Sequence, residues 1–139
     1  MRRFAIDAGP LVALLNARDE YHKWSTEVLD TVEPPLVTCE SVISEACFLV
    51  RHLKGGSDAV FGLMSRGIVK IDFDLGSEAP HVRRLMARYS NVPMALADAC
   101  LVRMSEIEGK LTIITIDSDF RIYRRNGRQV VPVVMPAGA

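Results

Sequence analysis

Four carboxylates stand in surroundings where charged side chains are rarely found. Asp7 ends the apolar run Phe4-Ala5-Ile6, and Asp117 follows Thr112-Ile113-Ile114-Thr115-Ile116. Glu45 lies within Ser41-Val42-Ile43-Ser44-Glu45-Ala46-Cys47-Phe48-Leu49-Val50, and Asp98 within Ala95-Leu96-Ala97-Asp98-Ala99-Cys100-Leu101-Val102. A helix that is apolar around most of its circumference is buried, and an ionised carboxylate is almost never buried without a partner. Arginine is one such partner, yet the nearest to Asp98 is Arg103, whose five-residue offset on a helix points to a different face. A hard divalent cation is the other. Mg²⁺ and Mn²⁺ prefer oxygen ligands, and carboxylates converging from several elements make such a site. His22, His52 and His81 are isolated, and no Cys/His spacing suggests zinc. Each acid also has a purely structural reading. Asp7 can cap the helix that Pro10 begins, Asp117 or Asp119 the helix after Ser118, and Glu45 can face solvent on an amphipathic helix.

The elements that must carry these acids follow from periodicity and breakers. A buried strand is expected over Arg3–Ile6 and helical periodicity through Leu11–Ala17, with Pro10 tolerated in the first turn. A helix over Glu20–Val32 is broken by Glu33-Pro34-Pro35, and Leu36-Val37-Thr38 reads as a strand. Glu40–Lys54 reads as a helix closed by Gly55-Gly56, followed by a short helix to Arg66 and a β-branched strand over Ile68–Phe73. Helices over Ser77–Tyr89 and Ala95–Glu108 precede the clearest strand, Leu111–Ile116. A short helix over Ser118–Arg125 and a last strand over Val130–Val134 complete the chain, Pro132 marking the latter as an edge. Strands alternating with helices imply a three-layer α/β/α sandwich around a central, mostly parallel five-stranded sheet. No linker, repeat or low-complexity tract interrupts residues 1–139, so one domain is expected. Ligands of such sheets collect beyond the carboxyl ends of the strands, which makes Asp7 and Asp117 expected neighbours.

Composition bounds the function. With 139 residues, 49% of them hydrophobic, and 17 basic residues against 17 acidic ones, the chain is not of the disordered class. The longest stretch without a charged side chain, Gln129–Ala139, is far short of the ~20 apolar residues that span a bilayer. Met1-Arg2-Arg3-Phe4 runs into Asp7 with no apolar core of a secretory signal, and Cys39, Cys47 and Cys100 form no CxxC, so a reducing cytoplasm is expected. Zero net charge argues against a nucleic-acid partner only if the charges are mixed. They are segregated: 13 of the 17 basic residues are arginine, with Arg121, Arg124, Arg125 and Arg128 in one group and Arg83, Arg84 and Arg88 in another. Acids gathered around divalent ions would leave these arginines free to meet phosphate.

The ordered set Asp7…Glu45…Asp98…Thr115-Ile116-Asp117-Ser118-Asp119-Phe120 resembles that of PIN-domain nucleases. The phrases Pro93-Met94-Ala95-Leu96-Ala97-Asp98-Ala99 and Asp119-Phe120-Arg121-Ile122-Tyr123-Arg124 are similar to those of many bacterial members, and the likeness extends over nearly the whole chain. The resemblance implies an acidic pocket that binds Mg²⁺ or Mn²⁺ and hydrolyses RNA phosphodiester bonds. Asp7, Glu45, Asp98 and Asp117 would be its metal-binding and catalytic acids, with Asp119 accessory. It also implies, for the VapC-like toxins among its small bacterial members, a cognate antitoxin and a homodimer. Two positions depart from the pattern: Ala8 stands where many relatives have Thr or Ser, and Ala95 where many have an acid.

In this reading Thr115 and Ser118 are candidates for contact with phosphate or for support of the acids, and Arg121, Arg124 and Arg125 for contact with the RNA backbone. Two other functions share the architecture. A phosphoryl-accepting or phosphatase domain also places an Asp after the first strand, but Asp7-Ala8-Gly9 lacks a second acid and no lysine follows the late strands. A module that holds RNA or a protein partner with little catalysis would share the fold without needing every acid.

Overall fold

The computed structural model describes residues 2–139. In chain order the elements are β1 (Arg3–Ile6), α1 (Ala8–Leu15), α2 (His22–Asp30), β2 (Leu36–Thr38), α3 (Glu40–Leu49), α4 (Gly56–Ser65) and β3 (Val69–Ile71). There follow α5 (Leu75–Arg88), α6 (Leu96–Ile107), β4 (Leu111–Ile114), a 3₁₀ turn (Ser118–Arg121), β5 (Arg124–Arg125), β6 (Gln129–Val130) and β7 (Val133–Val134). Five strands form one sheet in the order β3-β2-β1-β4-β7, and every adjacent pair is parallel. The chain therefore winds outward from β1 to β2 and β3, then returns to the other side of β1 with β4. The reversal falls between β1 and β4, whose register aligns Ile6 with Ile114.

Both faces of the sheet are covered. Alternation along each strand sends Ala5, Val37 and Ile113 to a core with α5 and α6, and Ile6, Leu36 and Ile114 to a core with α1, α3 and α4. These two cores are the reason for three layers. As expected from Pro132, β7 is an edge strand, and the Pro132 carbonyl accepts from the Ile113 amide at 2.9 Å.

Several boundaries shift by one to three residues, and three elements differ from the expected ones by more. The helix expected over Glu40–Lys54 ends at Leu49, because the Arg51 and Leu53 amides turn back onto the Phe48 and Val50 carbonyls. The helix expected over Ser118–Arg125 is only the 3₁₀ turn, followed by strand. The strand expected over Val130–Val134 is split: Val130 pairs back with Arg124 in an antiparallel ribbon, while Val133 and Val134 join the main sheet. The ribbon turns at Asn126 and Gly127, whose φ values of 50° and 85° are left-handed.

Gly9 in α1 permits the close approach that holds this end together. A Cβ there would stand 2.6 Å from Cγ1 and 2.8 Å from Cδ1 of Ile116, the residue before Asp117. Gly9→Val is expected to cost about 1–3 kcal/mol of stability, the usual range for overpacking. Thermal or denaturant unfolding checks this; an unchanged midpoint would show that Ile116 yields freely.

Candidate active site

The reversal of strand order brings the acids together at the carboxyl ends of β1 and β4. Asp7 leaves β1 and becomes the N-cap of α1: its amide donates to the Ile114 carbonyl at 3.0 Å, and its Oδ1 accepts from the Ala8 amide at 2.8 Å. Its Oδ2 accepts from the Thr115 hydroxyl at 2.7 Å, while Thr115 Oγ1 in turn accepts from the Asp117 amide at 3.0 Å. Asp117 caps the 3₁₀ turn by accepting from the Asp119 amide at 2.9 Å. Asp98 enters from the first turn of α6, where its Oδ2 accepts from the Tyr123 hydroxyl at 2.8 Å. The capping readings are thus real at Asp7 and Asp117. They do not account for the burial of Asp7 and Asp98, whose residues are only 7% and 8% exposed.

The electrostatics show that these side chains share one field. Burial pushes the Asp7 carboxyl up to about 6, and the charges of Glu45 and Asp117 add to the rise against the hydrogen bonds from Thr115 and Ala8. Burial likewise pushes Asp98 up to about 6, opposed by the Tyr123 hydroxyl and reinforced by Asp7, Asp117 and Asp119. Glu45 is raised by partial desolvation first and by Asp98 and Asp117 second. Among the described residues the ion pairs are those of Arg3 with Asp72 and Glu108 and of Arg103 with Glu78 and Glu106, and none includes an acid of the cluster. Negative charge is therefore concentrated here without a protein cation to offset it.

A hard divalent cation fits that donor set in chemistry, since every donor is a carboxylate oxygen and no cation among the described residues forms an ion pair with them. The side chains are not closed into a cage: among the described residues no three His, Cys, Asp or Glu stand in a geometry that would hold a metal ion as they are. A mainly apolar cavity of about 420 Å³, lined by Leu14, Leu29, Leu36 and Ile68, lies at the opposite ends of the strands; its lining includes a single carboxylate, Asp30, together with Arg66.

The sequence profile of the PIN domain matches residues 4–126. The chain belongs to the PIN domain family. The same fold is seen in the crystal structure of Mycobacterium tuberculosis VapC20, a sarcin–ricin loop cleaving toxin, with a TM-score of 0.73 and 18% identity over 84% of this chain and 91% of that one. No curated protein is similar enough in sequence to match.

This PIN domain departs from the sequence reading at several of the named residues. Glu45 was expected inside an apolar helix and is instead exposed. The buried stripe of α3 is Val42, Ile43, Ala46 and Val50, which turns Glu45 outward together with Phe48 and Leu49, 60% and 38% exposed. Thr115 is fully buried with its hydroxyl committed to Asp7 and Asp117, so it offers no surface to phosphate and acts as a support for the acids. Ser118 is exposed at the start of the 3₁₀ turn, and Asp119 is half-buried beside it.

Of the arginines near the C-terminus, Arg121 and Arg128 are exposed and Arg124 and Arg125 half-buried, and three of the four are tied to backbone carbonyls. Arg121 donates to the Ala139 carbonyl, Arg124 to the carbonyls of Arg121 and Tyr123 at 2.8 and 3.0 Å, and Arg125 to those of Ser105 and Gly109 at 2.9 and 3.0 Å. They satisfy chain ends of the 3₁₀ turn and α6. Sequence reasoning assigned no role to Tyr123, which the PIN domain buries completely against Asp98. The signal available was small: Tyr123 stands among Arg121, Arg124 and Arg125, which do not mark it as buried, and only a buried tyrosine must find a partner for its hydroxyl. Among the described residues no helix is long and apolar enough to cross a membrane, and all three cysteines are free.

Proposed function

We propose that this PIN domain is a metal-dependent ribonuclease that hydrolyses RNA phosphodiester bonds at the carboxylate cluster. One observation carries the reading: Asp7 and Asp98 are buried beside Asp117, Asp119 and Glu45, and among the described residues no cation forms an ion pair with any of them. Asp7, Asp98 and Asp117 would hold Mg²⁺ or Mn²⁺, with Glu45 completing the set from its exposed position and Asp119 accessory. When bound, such an ion lowers the pKa of water and offsets charge that develops on the phosphate. The chain's own contribution is positioning. Thr115 and the Ala8 amide hold Asp7, the α6 terminus and Tyr123 hold Asp98, and the 3₁₀ turn holds Asp117 and Asp119. The Asp7 and Asp98 carboxyls must give up their protons before an ion enters, so activity rises with pH through about 6.

The description of VapC20 as a toxin that cleaves the sarcin–ricin loop supports RNA as the substrate class and toxin as the role; a cytoplasmic location and a cognate antitoxin are carried over from the resemblance to VapC-like toxins. Phe48, Leu49 and Phe61, exposed on the adjacent helices α3 and α4, are apolar surface of the kind an antitoxin or a homodimer covers. The test is cleavage of single-stranded and structured RNA with Mg²⁺ or Mn²⁺ and again with chelator. Cleavage that requires the ion is the expected result. Binding of RNA without cleavage under either ion would favour the non-catalytic binding module instead.

A further inference from the structure

We propose that Tyr123 is a positioning residue whose hydroxyl orients Asp98 for the divalent cation, an assignment that rests on the reading of Asp98 as a metal ligand. The ring is completely buried, and its hydroxyl donates to Oδ2 of Asp98 at 2.8 Å, across 25 positions of chain. Among the described residues this is the only hydrogen bond to the Asp98 carboxylate, so Oδ1 remains available to an ion. The phenol cannot swing away. Tyr89 and Phe120 pack edge-on against the ring with centroids at 5.2 and 5.3 Å and interplanar angles of 66° and 82°. The Tyr89 ring makes this contact, while its hydroxyl is engaged elsewhere, accepting from the Arg124 amide at 2.8 Å.

The backbone of Tyr123 adds a second tie, because its amide donates to the Asp119 carbonyl at 3.2 Å. One residue thus links Asp98 on α6 to the turn that carries Asp117 and Asp119. A purely packing role would be filled as well by phenylalanine, which avoids burying a hydroxyl. The hydroxyl instead contacts the acid that would meet the ion, the arrangement by which an outer hydrogen bond sets the orientation of a metal ligand.

The experiment is calorimetric titration of Mn²⁺ into the metal-stripped wild-type protein and into Tyr123→Phe, Tyr89→Phe and Asp98→Asn. Tyr123→Phe keeps the ring and both edge contacts, and circular dichroism establishes its fold. Its Mn²⁺ dissociation constant is expected to rise about tenfold or more, while Tyr89→Phe, whose hydroxyl touches no carboxylate, binds Mn²⁺ as wild type does. Wild-type affinity in Tyr123→Phe, with affinity lost in Asp98→Asn, would overturn the proposal. Equal losses in the two tyrosine variants would also overturn it, since packing would then explain both. Wild-type affinity in Asp98→Asn would overturn the underlying assignment of the metal site.

Discussion

Asp98→Asn is expected to lower metal-dependent RNA cleavage by on the order of 10²–10³-fold while the protein remains folded. The substitution keeps the size and shape of the side chain, and the amide oxygen can still accept from Tyr123, so the packing of α6 is retained. What disappears is the charge. Asp98 enters from the N-terminal turn of a helix buried at Ala97, Ala99, Cys100, Leu101 and Val102, and the other carboxylate of α6, Glu106, lies in the last turn paired with Arg103, so it cannot take the place of Asp98. Rates measured for both proteins at an Mn²⁺ concentration that saturates wild type, together with circular dichroism, check both halves of the expectation. Wild-type cleavage would remove Asp98 from the site.

Asp7→Asn should do the opposite to stability in the absence of metal. The unfolded chain releases the Asp7 proton near 3.8, whereas the folded protein holds it to about 6, chiefly because the carboxyl is buried. Between these values the folded state binds more protons than the unfolded one, so stability falls as pH rises through the window and levels off above it. Ionised Asp7 therefore costs the metal-free fold up to about 3 kcal/mol at neutral pH, and nothing below about pH 4. Asparagine can keep both contacts, accepting from the Ala8 amide and donating to the Thr115 hydroxyl, without the charge. The variant's advantage in unfolding free energy should grow from near zero at pH 4 to about 3 kcal/mol above pH 7. Mn²⁺ should then stabilise wild type and leave Asp7→Asn nearly unchanged. Chelated unfolding curves across pH check this. A difference that does not vary with pH would mean that the buried charge is not its source.

Asp7 and Asp98 owe their legibility in the sequence to two different rules. Short apolar strands ending in Asp, read with the tendency of parallel sheets to gather ligands at their carboxyl ends, place Asp7 beside Asp117. The β1–β4 register does so in the structure. A helix apolar on every side placed Asp98 in the interior, and α6 is buried in that way. The same rule misplaced Glu45, because apolar composition does not say which stripe faces the core, and α3 leaves Phe48 and Leu49 outside.

Other features depend on contacts between distant parts of the chain. Thr115 meets Asp7 across 108 positions and Tyr123 meets Asp98 across 25, distances that local patterns do not encode. Arg124 and Arg125 read as part of a free basic group until backbone carbonyls of the 3₁₀ turn and α6 are seen to engage them, while Arg128 stays exposed. The ribbon was partly legible, since Asn126-Gly127 is a hairpin signal, although helical spacing in Ser118–Arg125 obscured it.

In the function proposed above, the carboxylates that follow β1, open α6 and cap the turn after β4 receive a divalent cation. Crystals grown with Mn²⁺ and measured for its anomalous scattering test this most directly. The expected result is an anomalous peak within coordination distance of Asp7, Asp98 and Asp117. Mn²⁺ bound only elsewhere on the protein, with these three carboxylates left bare, would contradict the account.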